Sequence, residues 1–200
     1  FNRYGGPGPG SGLDYDQSII RVLGNDHYPR HGRGQTLDNL KFILANEPSF
    51  PRCRKVFVLN RIVDLEMEAE LVAELENHGI EYLRIPFIED EYRQTGWDLE
   101  AFGGIDFFES EAYGKSAPVQ RTKMQLWAAA SKIRYVMNVN GARNAALEIG
   151  RQSADWTFVL DGNCCFTEQE FAALARSCSN PPHLPYVIVP MIRIDDNREF

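Results

Sequence analysis

Three short apolar runs alternate with two amphipathic segments in the first 86 residues of the chain. The apolar runs, at residues 18–23, 55–60 and 81–86, predict buried strands. The segments between them, at residues 36–46 and 65–78, carry apolar residues at helical spacing and predict helices. This β-α-β-α-β order favours a mostly parallel sheet with helices on both faces, which is a three-layer α/β/α sandwich.

The same patterns predict the remaining elements further along the chain. Helices are expected at residues 119–133, 142–152 and 167–178, and strands at residues 156–160 and 186–194. Met124, Trp127 and Ala128 are expected on the inner face of the first of these helices. Residues 88–118 are acidic and aromatic without a clear period, and we predict no regular secondary structure there.

The chain begins with a stretch that is rich in glycine and proline, and residues 1–17 are predicted to form a flexible leader. The predicted domain therefore spans residues 18–200. Because the sequence stops shortly after the last expected strand, we also expect this domain to continue beyond Phe200.

The charge balance restricts the classes of partner. The 200 residues carry 21 Lys and Arg against 28 Asp and Glu, a net charge of −7. Proteins whose main partner is duplex nucleic acid usually have the opposite sign, so we expect no nucleic-acid partner. Residues 18–55 hold a local excess of cations, whereas residues 64–111 hold 15 acids and two cations.

No apolar run is long enough to span a bilayer, and no secretory signal pattern opens the sequence. The four cysteines lack the spacing of a zinc site, and reduced thiols are the expected state. We therefore predict a cytoplasmic location with no membrane span in this chain.

One predicted strand, expected to be central in the sheet, ends in polar residues that suit a ligand site. The apolar run Trp156–Leu160 leads directly into Asp161-Gly162-Asn163. Open α/β sheets bind ligands at the carboxyl ends of their strands, where these side chains would lie. Asp-Gly and Gly-Asn pairs are also common in turns, so a purely structural role for Asp161 remains an alternative.

The segment 140–163 resembles the family 2 glycosyltransferases of the GT-A nucleotide-sugar transferase superfamily. Ala142-Arg143-Asn144 matches the helix start of that family, and Asp161-Gly162-Asn163 stands where the family has an Asp-x-Asp motif. The resemblance implies a GT-A-like fold and the transfer of a sugar from a UDP-linked or GDP-linked donor to an unknown acceptor. It also implies Mn²⁺ or Mg²⁺ at Asp161 and Asn163, where the amide of Asn163 gives one charge fewer than the family motif.

The resemblance extends to further site residues. The nucleotide-sugar-binding residues that we expect lie within or after the first predicted strand, after the second, in the helix of the motif and at the first position of Asp161-Gly162-Asn163: Arg21, Asn25, Asp26, Arg61, Asp64, Arg143, Asn144 and Asp161. The general base of an inverting transferase is expected after the last strand, where Asp195 and Asp196 are the nearby acids.

Two other interpretations stay open at this point. A non-catalytic GT-A-like domain that serves as a binding or assembly module would keep the fold without transferring a sugar. A phosphotransferase built on the same sheet would place phosphate on the acceptor. Phe102, Phe107 and Phe108, around Gly103-Gly104, are candidates for a lid or a sugar-stacking surface, with a role in the core as the alternative.

Overall fold

The computed structural model describes residues 4–5, 15–27, 31–179 and 186–193. These residues contain a five-stranded sheet in the spatial order β1-β4-β3-β2-β5. The strands are β1 (Tyr4–Gly5), β2 (Tyr15–Leu23), β3 (Cys53–Asn60), β4 (Glu81–Ile85) and β5 (Ala154–Asp161). The four longer strands are parallel, and β1 pairs with β4 in the antiparallel direction.

Eight α-helices are described around this sheet. They are α1 (Gln35–Asn46), α2 (Leu65–Asn77), α3 (Glu89–Gln94), α4 (Glu111–Gly114), α5 (Pro118–Ala128), α6 (Ala130–Met137), α7 (Val139–Arg151) and α8 (Glu168–Ser179). Short 3-10 turns occupy Glu100–Phe102 and Ile105–Glu109. Among the described helices, none is both long and apolar enough to cross a bilayer.

Alternating side chains of the strands fill a core on each face of the sheet. One face packs on α7, whose small residues allow the helix to approach closely; its core contains Ile20, Val56, Val58, Ala146 and Ile149. The other face packs on α1 and α2 through Leu23, Phe57, Leu59, Leu40 and Leu71. On that second face α8 covers the β5 side, with Ile19, Phe158 and Phe171 buried. The predicted parallel sheet with helices on both faces is therefore confirmed.

The strand boundaries differ from the prediction mainly at their amino ends. Residues 15–17, expected in the flexible leader, belong to β2, where Gln17 pairs with Cys53 of β3 and with Trp156 of β5. Tyr4 and Gly5, also assigned to the leader, form β1. The polar residues before the apolar run carry no strand signal, and they join the sheet because β2 has a partner strand on each side.

The helix expected at residues 119–133 is divided in two. Ala129 leaves the helical conformation, with φ −89° and ψ 2°, and separates α5 from α6. Trp127 is 64% exposed and is not on the inner face as predicted, whereas Ala128 is buried. Residues 88–118, for which no secondary structure was predicted, contain α3, α4 and both 3-10 turns.

The final strand expected at residues 186–194 is wrong for the part that is described, because residues 186–193 contain no strand. Val187 and Val189 pack against the core beside α8, while Ile188 and Ile192 are exposed. Inward and outward side chains alternate here as in a strand, which explains the sequence signal. Ile194 lies outside the described residues.

Candidate functional site

The carboxyl ends of β2 and β5 lie side by side, with Val22 opposite Asp161. From β2 the chain proceeds to β3 and β4 on one side, and β5 is added on the other side. This reversal of strand order is a topological switch point, where open parallel sheets form a crevice for ligands. Asp161 is the last residue of β5 and lies at this point, but β5 is an edge strand of the described sheet and not a central strand as predicted.

Arg143 and Asp161 meet at the switch point. Nη2 of Arg143 donates a hydrogen bond of 3.0 Å to Oδ1 of Asp161. The Arg143 and Asp161 side chains are 52% and 65% exposed. The structure therefore brings together two residues predicted for the site, in a position that solvent and a ligand can reach.

Close packing of α7 on β5 places Arg143 beside Asp161. Ala142, Ala146 and Gly150 are buried on the inner face of α7. A Cβ atom at Gly150 would lie 2.2 Å from Cγ2 of Thr157, so the glycine permits the helix to approach the strand. The helix begins at Val139 and not at Ala142. Arg143 is therefore in the second turn of α7 and not at the helix start that the sequence predicted.

Two asparagines that were not among the predicted site residues fix the corner before α7. Asn138 has a left-handed φ of 40° between α6 and α7. Asn60, which is 3% exposed at the end of β3, donates to the carbonyl of Met137 at 2.8 Å and accepts from Nδ2 of Asn138 at 2.9 Å. A Cβ at Gly141 would lie 2.2 Å from Oδ1 of Asn138. An asparagine directly after an apolar strand, and an Asn-x-x-Gly sequence, are the signals that could have indicated this corner.

The prediction that Arg21 contacts a nucleotide is corrected, because its side chain is completely buried. Its guanidinium forms a short ion pair with Glu47, and its Nε donates to the carbonyl of Cys164 at 2.7 Å. Nζ of Lys55 lies 2.8 Å from the other oxygen of Glu47. Arg21 is therefore part of a buried ionic cluster, which the sequence did not reveal because Glu47 is 26 residues away.

Asn25 and Asp26 follow β2 as predicted, and both hold neighbouring loops. Asn25 donates to the carbonyl of Arg61 at 2.7 Å and accepts from the amide of Val63 at 2.7 Å. Asp26 accepts from the amides of Gly34 and Thr36 at 2.6 and 3.0 Å. The Asp26 carboxylate thus occupies the amino-terminal end of α1, where an anionic ligand would otherwise be stabilised. Contact of either residue with a nucleotide stays a prediction.

Arg61 and Asp64 also have partners within the protein. Arg61 has a left-handed φ of 47°, and its guanidinium lies 3.8 Å from the ring centre of Tyr135. Its Nη1 donates to the carbonyl of Tyr135 at 2.5 Å, so Arg61 attaches the end of β3 to α6. Asp64 caps α2 by accepting from the amides of Glu66 and Met67. Contact of Arg61 or Asp64 with a nucleotide stays a prediction.

Gly162 and Cys164 shape the turn after Asp161. A Cβ at Gly162 would lie 2.6 Å from Cδ2 of Leu23, so a larger residue would displace the β2 side of the crevice. The amide of Cys164 donates to the carbonyl of Asp161 at 3.1 Å. Burial, followed by the charge of Asp161, raises the pKa of the Cys164 thiol. The thiol is therefore neutral near pH 7 and is a poor nucleophile.

The predicted metal ligands Asp161 and Asn163 are both exposed in this turn. Within the described part of the chain, no group of three or more His, Cys, Asp or Glu residues could hold a metal ion. Mg²⁺ is commonly held by one or two carboxylates together with substrate phosphates and water. The single carboxylate of Asp161 fits a site of this kind, in which substrate phosphates and water supply most of the oxygen ligands.

Asn144 is exposed on α7 next to Arg143. The predicted catalytic residues Asp195 and Asp196 lie outside the described residues.

Comparisons of the chain with protein-family models, with curated proteins and with solved structures found no match.

Proposed function

We propose that this protein is a GT-A-like glycosyltransferase that binds a nucleotide-diphosphate sugar at the carboxyl ends of β2 and β5. The observation that carries the proposal is the exposed pair of Arg143 and Asp161 at the topological switch point of the sheet. A cation and a carboxylate in this position are suited to a ligand that has both a diphosphate and polar hydroxyl groups.

Each member of the pair has a distinct task in this proposal. Arg143 forms charge-assisted hydrogen bonds with the diphosphate oxygens. Its positive charge stabilises the negative charge that develops on the leaving diphosphate when the bond to the sugar breaks. Asp161 accepts hydrogen bonds from the ribose hydroxyls or holds a divalent metal ion. Asn144 and Asn163 add uncharged polar contacts on either side of the pair.

A divalent metal ion would supply further positive charge to the leaving group, and Asp161 with Asn163 would hold it. Because Arg143 already neutralises Asp161, the protein alone should bind Mn²⁺ or Mg²⁺ weakly. Nucleotide and metal should therefore bind together, since the diphosphate oxygens complete the coordination. For an inverting transfer, Asp195 or Asp196 is proposed as the base that accepts the proton of the acceptor hydroxyl.

Isothermal titration calorimetry with UDP, GDP and their sugar conjugates tests this proposal. We expect binding of a nucleotide that Mn²⁺ strengthens, and at least tenfold weaker binding by Asp161→Ala. Glu148→Ala is the matched control, because Glu148 is an exposed acid of α7 that pairs with Arg151 and does not contact Asp161. Failure of every nucleotide to bind the wild-type protein would contradict the proposal.

The second candidate is a non-catalytic module with the same fold. It is favoured by the internal use of the Asn25, Asp26 and Asp64 side chains as structural contacts. It is also favoured by the amide at position 163, where the family has a second acid. Tight nucleotide binding without hydrolysis or transfer of the sugar, measured with labelled sugar nucleotides, would support the module over the enzyme.

A further inference from the structure

A cavity of about 210 Å³ opens to solvent between the segment 97–108 and helix α5. Its lining consists of five apolar side chains and one amide: Trp97, Leu99, Ile105, Phe108, Ala128 and Gln125. Arg143 and Asp161 are not among these residues, so the cavity is separate from the candidate site. The following inference does not depend on the proposed function.

Hydrogen bonds hold one wall of the cavity in place. The carboxylate of Asp98 accepts from the amide and the hydroxyl of Ser131 at 2.6 and 2.8 Å. The amide of Asp98 donates to the carbonyl of Ala128 at 2.8 Å. Trp97 and Leu99, on either side of Asp98, are thereby fixed to the corner between α5 and α6. A fixed wall lowers the ordering cost of binding a ligand.

The aromatic residues of the wall have further support. Nζ of Lys132 lies 5.3 Å from the ring centre of Trp97 and donates to the carbonyl of Tyr92 at 2.8 Å. Phe108 packs against Phe102 and Tyr113, with ring centres 5.2 and 5.1 Å apart. The cavity is therefore a formed feature of the fold and not a gap between loose side chains.

Two lining residues expose large apolar surfaces to water. Trp97 is 57% exposed and Ile105 is 61% exposed. A ligand that filled the cavity would cover part of both side chains, and removal of this apolar surface from water favours binding. The side-chain amide of Gln125 has no hydrogen bond with any other described residue, so it can orient a ligand.

The lining distinguishes between classes of ligand. None of its side chains is charged, which favours a neutral ligand. A sugar ring would bring several hydroxyl groups but would find only Gln125 as a polar partner, so most hydroxyls would lose their hydrogen bonds with water. An apolar cavity of about 150 Å³ is large enough for benzene, and this larger cavity can accept a bigger ring system.

We propose that this cavity is a binding site for an uncharged ligand built on one or two apolar rings, with one polar group that bonds to Gln125. Of the three phenylalanines around Gly103-Gly104, Phe108 lines the cavity, and in this proposal it contacts the apolar rings of the ligand. Indole is a suitable probe because it has two fused rings and one N–H donor for the side-chain carbonyl of Gln125.

Titration of the protein with indole, followed by ¹H–¹⁵N NMR, tests this proposal. We expect saturable shifts of the Trp97 side-chain N–H signal and no comparable shift at Trp156, which lies in β5. Glucose should produce no saturable shift. The absence of saturable shifts with indole, or saturable binding of glucose at Trp97, would overturn the proposal.

Two variants keep the test specific. Ala128→Leu fills the cavity and should weaken indole binding at least tenfold, whereas Ala69→Leu, on the exposed face of α2, should leave the affinity unchanged. Ile105→Ser changes an exposed residue of the rim, which should not prevent folding, and should weaken binding several-fold. Unchanged affinity in Ile105→Ser, together with unchanged affinity in a folded Ala128→Leu protein, would also overturn the proposal.

Discussion

Arg143 and Asp161 are 18 residues apart in the chain, and a 3.0 Å hydrogen bond joins their side chains at the edge of the sheet. Arg143 belongs to α7, which packs on β5, and Asp161 is the last residue of β5. Both side chains remain more than half exposed. An exposed pair of this kind contributes little to stability, and in the proposed function its role is to bind the nucleotide.

Replacement of Arg143 separates stability from nucleotide binding. We expect Arg143→Ala to change the free energy of unfolding by less than about 1 kcal/mol, since exposed ion pairs are weak. The same variant should weaken nucleotide binding at least tenfold in calorimetry, because the diphosphate loses its charged partner. Arg151→Ala, at another exposed arginine of α7, is the control and should bind like the wild type. Equal affinities in the two variants would remove Arg143 from the site.

The buried cluster of Arg21, Glu47 and Lys55 predicts a large loss of stability. Glu47→Ala leaves two cations without their carboxylate in the core, and we expect unfolding to become easier by about 3–5 kcal/mol. The double variant Arg21→Met with Glu47→Leu removes the principal ion pair and should be more stable than Glu47→Ala alone. Urea unfolding of the wild type, of Glu47→Ala and of the double variant measures these differences. Asp16→Ala, which removes an exposed ion pair with Arg52, should cost less than about 1 kcal/mol.

The parallel sheet was predictable because its signals are local, whereas the switch point follows from the strand order, which the sequence did not indicate. The apolar runs within β2, β3 and β5 have the length of buried strands, and the helices α1 and α2 are amphipathic. Asp161 could be placed at a ligand edge because it directly follows one of these runs. The break at Ala129 was not predictable, because it lies beside a contact with a distant residue, the hydrogen bond from the amide of Asp98 to the carbonyl of Ala128. The corner at Asn138 had the local Asn-x-x-Gly signal, but its hydrogen bond with Asn60 could not be predicted from that signal.

Individual side-chain roles were less predictable than the elements that carry them. Arg21 lies in an apolar run, and its position near a strand end indicates an exposed charged residue. In the structure its side chain is buried, because it forms an ion pair with the buried carboxylate of Glu47. The carboxylate of Asp26 could not be assigned to α1 from spacing, since the loop between them is polar and aperiodic. Residues 186–193 alternate as a strand does, but packing of Val187 and Val189 accounts for that pattern without any strand partner.

Close packing of α7 on β5 predicts sensitivity at Gly150. Gly150→Ala would place a methyl group 2.2 Å from Cγ2 of Thr157, so we expect a loss of about 1–3 kcal/mol in the free energy of unfolding. Thr157→Ala in the same protein should restore part of that loss. Gly114→Ala is the control, because no atom lies within 4 Å of the added methyl group in α4. An unchanged free energy of unfolding in Gly150→Ala would contradict the close contact between α7 and β5.

The thiol of Cys53 predicts a stability change at high pH. Burial raises its pKa from 9.0 to about 12 in the folded protein. Above pH 9 the unfolded chain therefore holds fewer protons, and stability falls as the pH rises toward 12, by at most about 1.4 kcal/mol per pH unit. Urea unfolding of wild type and Cys53→Ala between pH 8 and pH 10.5 isolates this contribution, since other groups titrate equally in both. Parallel profiles for the two proteins would show that Cys53 does not contribute.

In the proposed function a nucleoside diphosphate binds at the pair of Arg143 and Asp161. A titration with UDP and GDP in the presence of Mg²⁺, followed by the backbone amide signals of the protein in NMR, tests this binding. We expect saturable shifts at Arg143 and at residues 161–163, with little change at Cys53 at the opposite end of the sheet. Shifts that do not saturate with either nucleotide, or that are confined to other parts of the molecule, would contradict it.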